Sequence, residues 1–153
     1  RKAHNGQLRK YSNVDYITHP IAVAAIAERI GKEEYNLCED GEGLEIIRSI
    51  AYLHDVLEDT RVSELELADF LDSLKDYSNP QNGPTRWQIS SIIEAVLRLT
   101  KKKDQDLIEY LNNVKGYFYS ELVKLADLEH NMSDLKDQRK LDHYKLVKYY
   151  LEN

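Results

Sequence analysis

The sequence lacks paired cysteines, long apolar runs and an excess of positive charge, and each absence excludes a class of protein. Cys38 is the only cysteine among 153 residues, so neither an intrachain disulfide nor a thiolate-rich zinc site can form. No stretch approaches the roughly 18 apolar residues of a membrane-spanning helix, and no signal-peptide pattern opens the chain. We therefore expect a protein of the reducing cytoplasm that has no membrane partner.

The net charge of −6 argues against nucleic acid as a partner, because non-specific binding to nucleic acid depends on basic surface that neutralises phosphates. A small anionic ligand is compatible with this charge only if local cations or a metal ion offset the overall field. Apolar residues make up 42% and charged residues 31% of the chain, an ordinary globular balance. At this length we expect a single domain, residues 1–153, that buries about two thirds of its unfolded surface.

No region alternates polar and apolar residues at period two for long, so the sequence predicts an all-α helical bundle. Capping boxes at Ser63–Glu66 and Thr85–Gln88 mark two helix starts. The first predicted helix begins at Thr18-His19-Pro20 and is ended by Gly31. The others are Leu44–Leu57, Glu64–Leu74, Thr85 to about Leu99, Asp104–Asn113, Phe118–Asp134 and Lys136–Tyr150.

The stretch AYLHDVLEDT, residues 51–60, places four polar side chains inside an apolar helical pattern. On a continuous helix, His54 and Glu58 share one face, and Asp55 and Asp59 share another. The apolar stripe before His54 directs its imidazole and at least one carboxylate toward the interior. Burial of such groups is costly unless they are paired or bind a metal, so this stretch is a candidate site.

A second polar interruption occurs in VKLADLEHNM, residues 123–132. Val123, Asp127 and Asn131 are spaced by four and form one stripe beside an apolar one. Asp127 can therefore close a site with His54 across two helices, as in the cores of many helical bundles. His130 either packs in the core or contacts a residue of the site without taking part in the site itself.

Four motifs together resemble the HD superfamily of metal-dependent phosphohydrolases. They are AHNGQLR at residues 3–9, Tyr16 followed by His19-Pro20, LHDVLEDT at residues 53–60 and LADLEHNM at residues 125–132. More narrowly, the chain is similar to the (p)ppGpp hydrolase domain of Rel/SpoT-type enzymes and their small stand-alone relatives. The resemblance implies an HD-domain bundle that hydrolyses a phosphorylated nucleotide, here the 3′-diphosphate of (p)ppGpp, with release of pyrophosphate.

The resemblance also implies the roles of individual residues. The metal ligands would be two histidines and two carboxylates, namely His19, His54, Asp55 and Asp127. This donor set suits Mn²⁺, the usual ion of the relatives, and also other divalent ions. The residues that handle the attacking water would be Glu58 and Asp59, and the substrate contacts would be Arg9, Lys10 and Asn131. For the two basic residues, solvated surface is the alternative interpretation.

One departure from the family pattern concerns the choice of nucleotide. Leu128-Glu129 replaces the arginine-leucine of the long bifunctional enzymes, which exchanges a cation for an acid near the expected substrate. A nucleoside monophosphate, an adenosine alarmone and NADPH are therefore alternative substrates. A nucleotide-sensing module with weak catalysis is the non-enzyme alternative. Tyr149 and Tyr150 belong either to the margin of the core or to a homodimer interface.

Overall fold

Eight α-helices make up the described part of this computed structural model, which covers residues 6, 8, 15–39, 41–79, 82–133 and 135–153. Within these residues there is no β-strand, only an isolated antiparallel bridge between Leu8 and Asp15, so the all-α prediction is confirmed. The helices are α1 (Thr18–Tyr35), α2 (Glu42–Leu53), α3 (Val56–Asp59), α4 (Glu64–Asp72), α5 (Arg86–Leu99), α6 (Leu107–Lys115), α7 (Phe118–Ser133) and α8 (Gln138–Glu152).

The core lies where α1, α2, α5 and α7 meet. Helix α1 packs on α2 and α7, α5 contacts α2, α4, α6 and α7, and α8 covers α6 and α7. The predicted stripe of α2 is wholly buried, with Ile47, Ile50 and Ala51 each 0% exposed. Because α1, α2 and α7 pack together, their polar positions can meet inside the bundle. No helix in these described ranges is long and apolar enough to cross a bilayer.

Both predicted capping boxes are present. The Ser63 hydroxyl accepts from the Glu66 N–H at 3.3 Å, and the Glu66 carboxylate accepts from the Ser63 N–H at 2.8 Å. Thr85 and Gln88 make the same reciprocal pair at 3.2 and 2.7 Å. Each pair supplies partners for amides that the first helical turn leaves unsatisfied.

The prediction that Gly31 ends the first helix is wrong. Helix α1 continues to Tyr35 and ends at Asn36, whose φ of 53° is the left-handed conformation of a helix C-cap. A Cβ at Gly31 would lie only 3.1 Å from Leu37 Cδ1 and 3.2 Å from Leu44 Cδ2. The glycine therefore serves the close approach of α1 to its neighbours rather than a helix end.

The predicted continuous helix Leu44–Leu57 is also wrong, because the chain breaks at the His54-Asp55 pair. Helix α2 ends at Leu53, α3 begins at Val56, and Asp55 has φ −101° and ψ −1°. The His54 ring bonds the Ala51 carbonyl at 2.8 Å where the helix ends. His54 and Asp55 consequently lie in the turn, whereas Glu58 and Asp59 lie in α3, so neither expected pair is stacked on one continuous helix.

Helices α6 and α8 begin later than predicted because an aspartate caps each of them. The carboxylate of Asp106 accepts from the N–H groups of Ile108 and Glu109 at 2.8 and 3.2 Å. Asp137 caps α8 in the same way. The predicted end of the preceding helix, Asp134, lies outside the described residues.

Candidate metal and active site

His54 is held at the end of α2 by a main-chain hydrogen bond. Its Nδ1 lies 2.8 Å from the Ala51 carbonyl oxygen, which can only accept, so Nδ1 carries the proton. In the neutral ring, Nε2 then has a free lone pair. The side chain is 3% exposed, so that lone pair faces the interior as the sequence predicts.

His19 enters the same interior from the first turn of α1. Thr18 does not cap this helix with its side chain; its hydroxyl donates to the Asp15 carbonyl at 2.8 Å. The imidazole of His19 is 5% exposed, and its Nδ1 lies 2.8 Å from Nδ1 of His130 on α7. The other ring nitrogen, Nε2, faces the carboxylates of the site.

Asp127 contributes a carboxylate from the middle of α7. Lys124, one turn earlier, donates to Oδ2 at 2.8 Å, and the Asn131 amide, one turn later, donates to Oδ1 at 2.6 Å. The side chain is 7% exposed. These helical neighbours hold the carboxylate so that Oδ1 faces the two imidazoles.

The predicted ligands converge on one point. His19 Nε2 lies 3.2 Å from Asp127 Oδ1 and 3.6 Å from Asp55 Oδ2. His54 Nε2 lies 3.0 Å from Asp55 Oδ2 and 3.7 Å from Asp127 Oδ1. Donor atoms of His19, His54 and Asp127 all lie within 4.8 Å of one another, and Asp55 adjoins both imidazoles.

The electrostatics of this cluster favour a cation. Burial alone lowers the pKa of His19 and His54, but the facing carboxylates outweigh it, so the pKa of each imidazole is raised. Burial alone raises the pKa of Asp55 and Asp127, but the imidazoles, with Lys124 at Asp127, lower the pKa of both. The two carboxylates therefore favour a positive charge at the point where the four side chains meet.

The cluster fits a divalent metal ion. His54 Nε2 is buried without a hydrogen-bond partner in the described part of the chain, and Asp55 Oδ2 lies 3.0 Å from it. Bonds of about 2.0–2.2 Å to nitrogen and oxygen place neighbouring ligand atoms roughly 3.0–3.6 Å apart. The observed separations of 3.0–3.7 Å match that spacing.

Glu58 and Asp59 lie on α3 beside the cluster, and each has an identified partner. Glu58 Oε2 accepts from the Lys101 N–H at 3.2 Å, and burial raises the pKa of its carboxyl. The Tyr16 hydroxyl donates to Asp59 Oδ2 at 3.1 Å and also to Asp55. Tyr16 therefore connects a predicted metal ligand with one of the predicted catalytic acids.

The HD domain family model matches residues 16–147, which contain the whole described cluster. The chain belongs to the HD domain family. This is a family of metal-dependent phosphohydrolases with an all-α fold, so the predicted fold and family are confirmed. That the single domain extends over the whole of residues 1–153 stays a prediction.

Curated relatives of this HD domain include enzymes named for (p)ppGpp metabolism. It is 32% identical over 142 residues to a GTP pyrophosphokinase of Myxococcus xanthus, covering 93% of this chain and 16% of the relative. It is 29% identical over 160 residues to a guanosine-3′,5′-bis(diphosphate) 3′-pyrophosphohydrolase of Haemophilus influenzae, covering 99% of this chain and 20% of the relative. The bifunctional (p)ppGpp synthase/hydrolase SpoT of Escherichia coli is 29% identical over 147 residues, with coverage of 91% and 17%. The chain spans a fifth or less of the length of these relatives.

The predicted substrate contacts are only partly within the described residues. Arg9 and Lys10 lie outside them, so their role stays a prediction. Asn131 lies at the site, where its side-chain amide donates to Oδ1 of Asp127 at 2.6 Å. In this HD domain the Asn131 amide therefore helps to hold the carboxylate of Asp127, a predicted metal ligand.

The Leu128-Glu129 pair does not face the cluster. Leu128 is 2% exposed within the hydrophobic core. Glu129 accepts two hydrogen bonds from the Arg29 guanidinium on α1, at 2.7 and 2.9 Å. This placement gives no support to the hypothesis that these positions select the nucleotide.

The motifs assign no separate role to Tyr16 or Lys124, and they leave two roles open for His130, packing or support of a metal ligand. For Lys124 a signal existed, because a lysine three residues before an aspartate on one helix face forms an ion pair. Tyr16 is indicated by the sequence only as the tyrosine of a family motif, without a contact or a role. The contact of His130 with His19 depends on how α1 packs against α7, which local spacing does not reveal.

Two surface grooves lie away from the cluster. One, of about 710 Å³, is lined by residues of α2, α4 and α5 such as Glu45, Leu71 and Gln88. The other, of about 530 Å³, lies between α6 and α8 beside Leu111 and Tyr150. Neither is lined by a predicted site residue, so the chemistry of the family points to the cluster instead.

Proposed function

We propose that this HD domain hydrolyses (p)ppGpp with a divalent ion, Mn²⁺, releasing the 3′-diphosphate as pyrophosphate and leaving GDP or GTP. The observation that carries the proposal is the buried set of His19, His54 and Asp127, with the half-buried Asp55 beside both imidazoles. Among the described residues, Nε2 of His54 has no hydrogen-bond partner. The relatives named as (p)ppGpp pyrophosphohydrolases support the choice of substrate.

His19, His54, Asp55 and Asp127 would hold the ion. When bound, such an ion supplies Lewis-acid polarisation of phosphoryl oxygens and makes a coordinated water more acidic. An ion would bind the unprotonated imidazole nitrogens and the carboxylate forms of the acids, so its affinity would depend on pH.

Glu58 is the base in this proposal. The Lys101 N–H holds Oε2 at 3.2 Å, which leaves Oε1 to accept the proton of the attacking water. Partial desolvation raises the pKa of this carboxyl from its ordinary value. A base whose pKa moves toward the operating pH takes a proton more effectively than an ordinary glutamate.

Asp59 would position the water rather than accept its proton. The hydrogen bond from Tyr16 at 3.1 Å fixes Asp59 Oδ2, and the same hydroxyl bonds Asp55. Because one hydroxyl bonds both carboxylates, movement of Asp55 would disturb Asp59, and movement of Asp59 would disturb Asp55.

Arg9 and Lys10 would bind the remaining phosphates, the arginine through its bidentate fork, with Asn131 near the nucleotide. The network of acids around the site makes such cations necessary, since Asp55, Glu58 and Asp59 would otherwise repel a polyphosphate. A cytoplasmic location and a homodimer remain predictions beside this proposal.

Product identification tests the proposal directly. The Mn²⁺-loaded protein is incubated with ppGpp, pppGpp, GMP, an adenosine alarmone and NADPH, and the products are separated by ion-exchange chromatography. We expect GDP or GTP with pyrophosphate from the first two substrates, and loss of activity in EDTA. A folded, metal-loaded chain that leaves ppGpp intact while cleaving another member of the panel would refute the substrate assignment.

The matched variant is Glu58→Gln, which keeps an oxygen for the Lys101 amide but cannot accept the proton. We expect kcat to fall by about 10²–10⁴-fold with unchanged Mn²⁺ affinity. A kcat equal to that of the wild type would exclude Glu58 as the base.

A further inference from the structure

The imidazole rings of His19 and His130 approach each other through their Nδ1 atoms. Their Nδ1 atoms lie 2.8 Å apart, a hydrogen-bond distance, and their ring centroids are 5.0 Å apart. A hydrogen bond between two imidazole nitrogens needs a proton on one of them and a lone pair on the other. The partner that holds the proton decides the tautomer of both neutral rings.

His54 has no such freedom. Its Nδ1 faces the Ala51 carbonyl, which cannot donate, so the main chain fixes the proton on Nδ1 and leaves Nε2 for an ion. At Nδ1 of His19, the contact found among the described residues is the side chain of His130 and not a carbonyl. The tautomer of His19 therefore depends on another side chain.

Two arrangements of the shared proton are open to His19. If His130 donates, neutral His19 carries its own proton on Nε2, directed at Asp127 Oδ1 3.2 Å away, and cannot bind an ion. If His19 donates from Nδ1, its Nε2 lone pair faces the carboxylates and His54. Only the second arrangement matches that of His54.

We propose that His130 is a positioning residue that accepts a hydrogen bond from Nδ1 of His19 and thereby keeps Nε2 of His19 free to bind a divalent ion. The inference rests on the proposed metal site, but it concerns a residue outside the proposed set of metal ligands. A hydrogen-bond partner behind a metal-ligating histidine fixes its tautomer and ring orientation. His130 is placed for this role because α7 also carries Asp127, three residues earlier, so one helix supplies a ligand and orients another.

Three substitutions at His130 separate this role from packing. His130→Asn keeps an acceptor oxygen near the position of Nδ1, His130→Gln places its acceptor further out, and His130→Leu has none. Zn²⁺ affinity, measured by calorimetry without substrate, should fall by about 10–100-fold in the leucine and glutamine variants. The asparagine variant should stay within about threefold of the wild type, because it preserves the hydrogen bond.

The wild-type protein provides an independent readout that needs no variant. With ¹⁵N-labelled histidine and bound Zn²⁺, long-range ¹⁵N–¹H spectra identify which nitrogen of His19 carries the proton. We expect the proton on Nδ1 of His19 and on Nε2 of His130.

A His19 protonated on Nε2 in the Zn²⁺-loaded protein would overturn the proposal. So would wild-type Zn²⁺ affinity in His130→Leu, or an asparagine variant as weak as the leucine variant. A wild-type chain that binds no divalent ion would instead refute the metal site itself. Binding and tautomer are measured without nucleotide, so an error in the proposed substrate would leave both results unchanged.

Discussion

Replacing His54 by asparagine should remove a metal ligand while keeping the main-chain bond that holds it. The asparagine amide can donate to the Ala51 carbonyl that Nδ1 now contacts at 2.8 Å. It has no group at the position of Nε2, the buried nitrogen that finds no hydrogen-bond partner among the residues the structure describes. The substitution thus separates metal binding from the termination of α2.

The size of the effect can be estimated for each state of the protein. Loss of about 40 Å³ from a side chain that is 3% exposed, at about 24 cal/mol per Å³, costs about 1 kcal/mol. The lost pairing of the imidazole with Asp55 and Asp127 acts in the same direction. For a chain of 153 residues, 1 kcal/mol lowers Tm by about 2–4 °C. Metal at a hundred times its Kd should stabilise the wild type by about 2.7 kcal/mol, which corresponds to about 5–11 °C.

Differential scanning calorimetry in EDTA and in excess Mn²⁺ measures both quantities. In EDTA, His54→Asn should unfold a few degrees below the wild type. In Mn²⁺, the wild type should gain its full shift, whereas the variant should gain little because one of four ligands is missing. The difference between the two proteins should therefore widen when metal is added.

His143→Asn is the matched control, since His143 is exposed on α8 and lies outside the cluster. It should show the full Mn²⁺ shift. If His54→Asn also keeps that shift, His54 is not a metal ligand and the assignment of the site is wrong. If His54→Asn and the control His143→Asn both lose the shift, the loss in His54→Asn does not identify His54 as a metal ligand.

Two further substitutions test how the surroundings of the cluster act. Lys124→Met removes the donor to Oδ2 of Asp127 and should lower the free energy of unfolding in EDTA by about 1–3 kcal/mol, because one oxygen of a carboxylate that is 7% exposed loses its cationic partner. Urea denaturation that shows no change would contradict this. Glu129→Leu should leave kcat/KM for each nucleotide unchanged, since Glu129 pairs with Arg29 and not with the cluster; a changed ratio between ppGpp and the other nucleotides would restore Glu129 as a selector.

Helical periodicity predicted the order and type of the elements, but it could not locate the break at His54-Asp55. Val56 and Leu57 continue the apolar spacing of α2 across that break, so the pattern looks uninterrupted. The interruption coincides with a bond from the His54 ring to the Ala51 carbonyl, a side-chain event that periodicity does not encode. A similar limit applies to Gly31, where the general rule for helix ends was overridden by packing against Leu37 and Leu44.

The motifs predicted the members of the cluster better than their supporting contacts. His19, His54 and Asp127 meet as the motif spacing led us to expect. The contact between His19 and His130 joins residues 111 positions apart, and that between Arg29 and Glu129 joins residues 100 apart. Such contacts depend on the register of α1 against α7, so a motif comparison can name the residues but not what they touch.

The order of the ligands along the chain has a consequence for how the molecule can be divided. His19, His54 and Asp55 all precede the connection between α4 and α5, whereas Asp127 follows it. A cut in that connection would leave two polypeptides, each with an incomplete ligand set and each burying part of the shared core. The ion would then act as a reversible crosslink between them, and the strength of their association would report how fully the site is occupied.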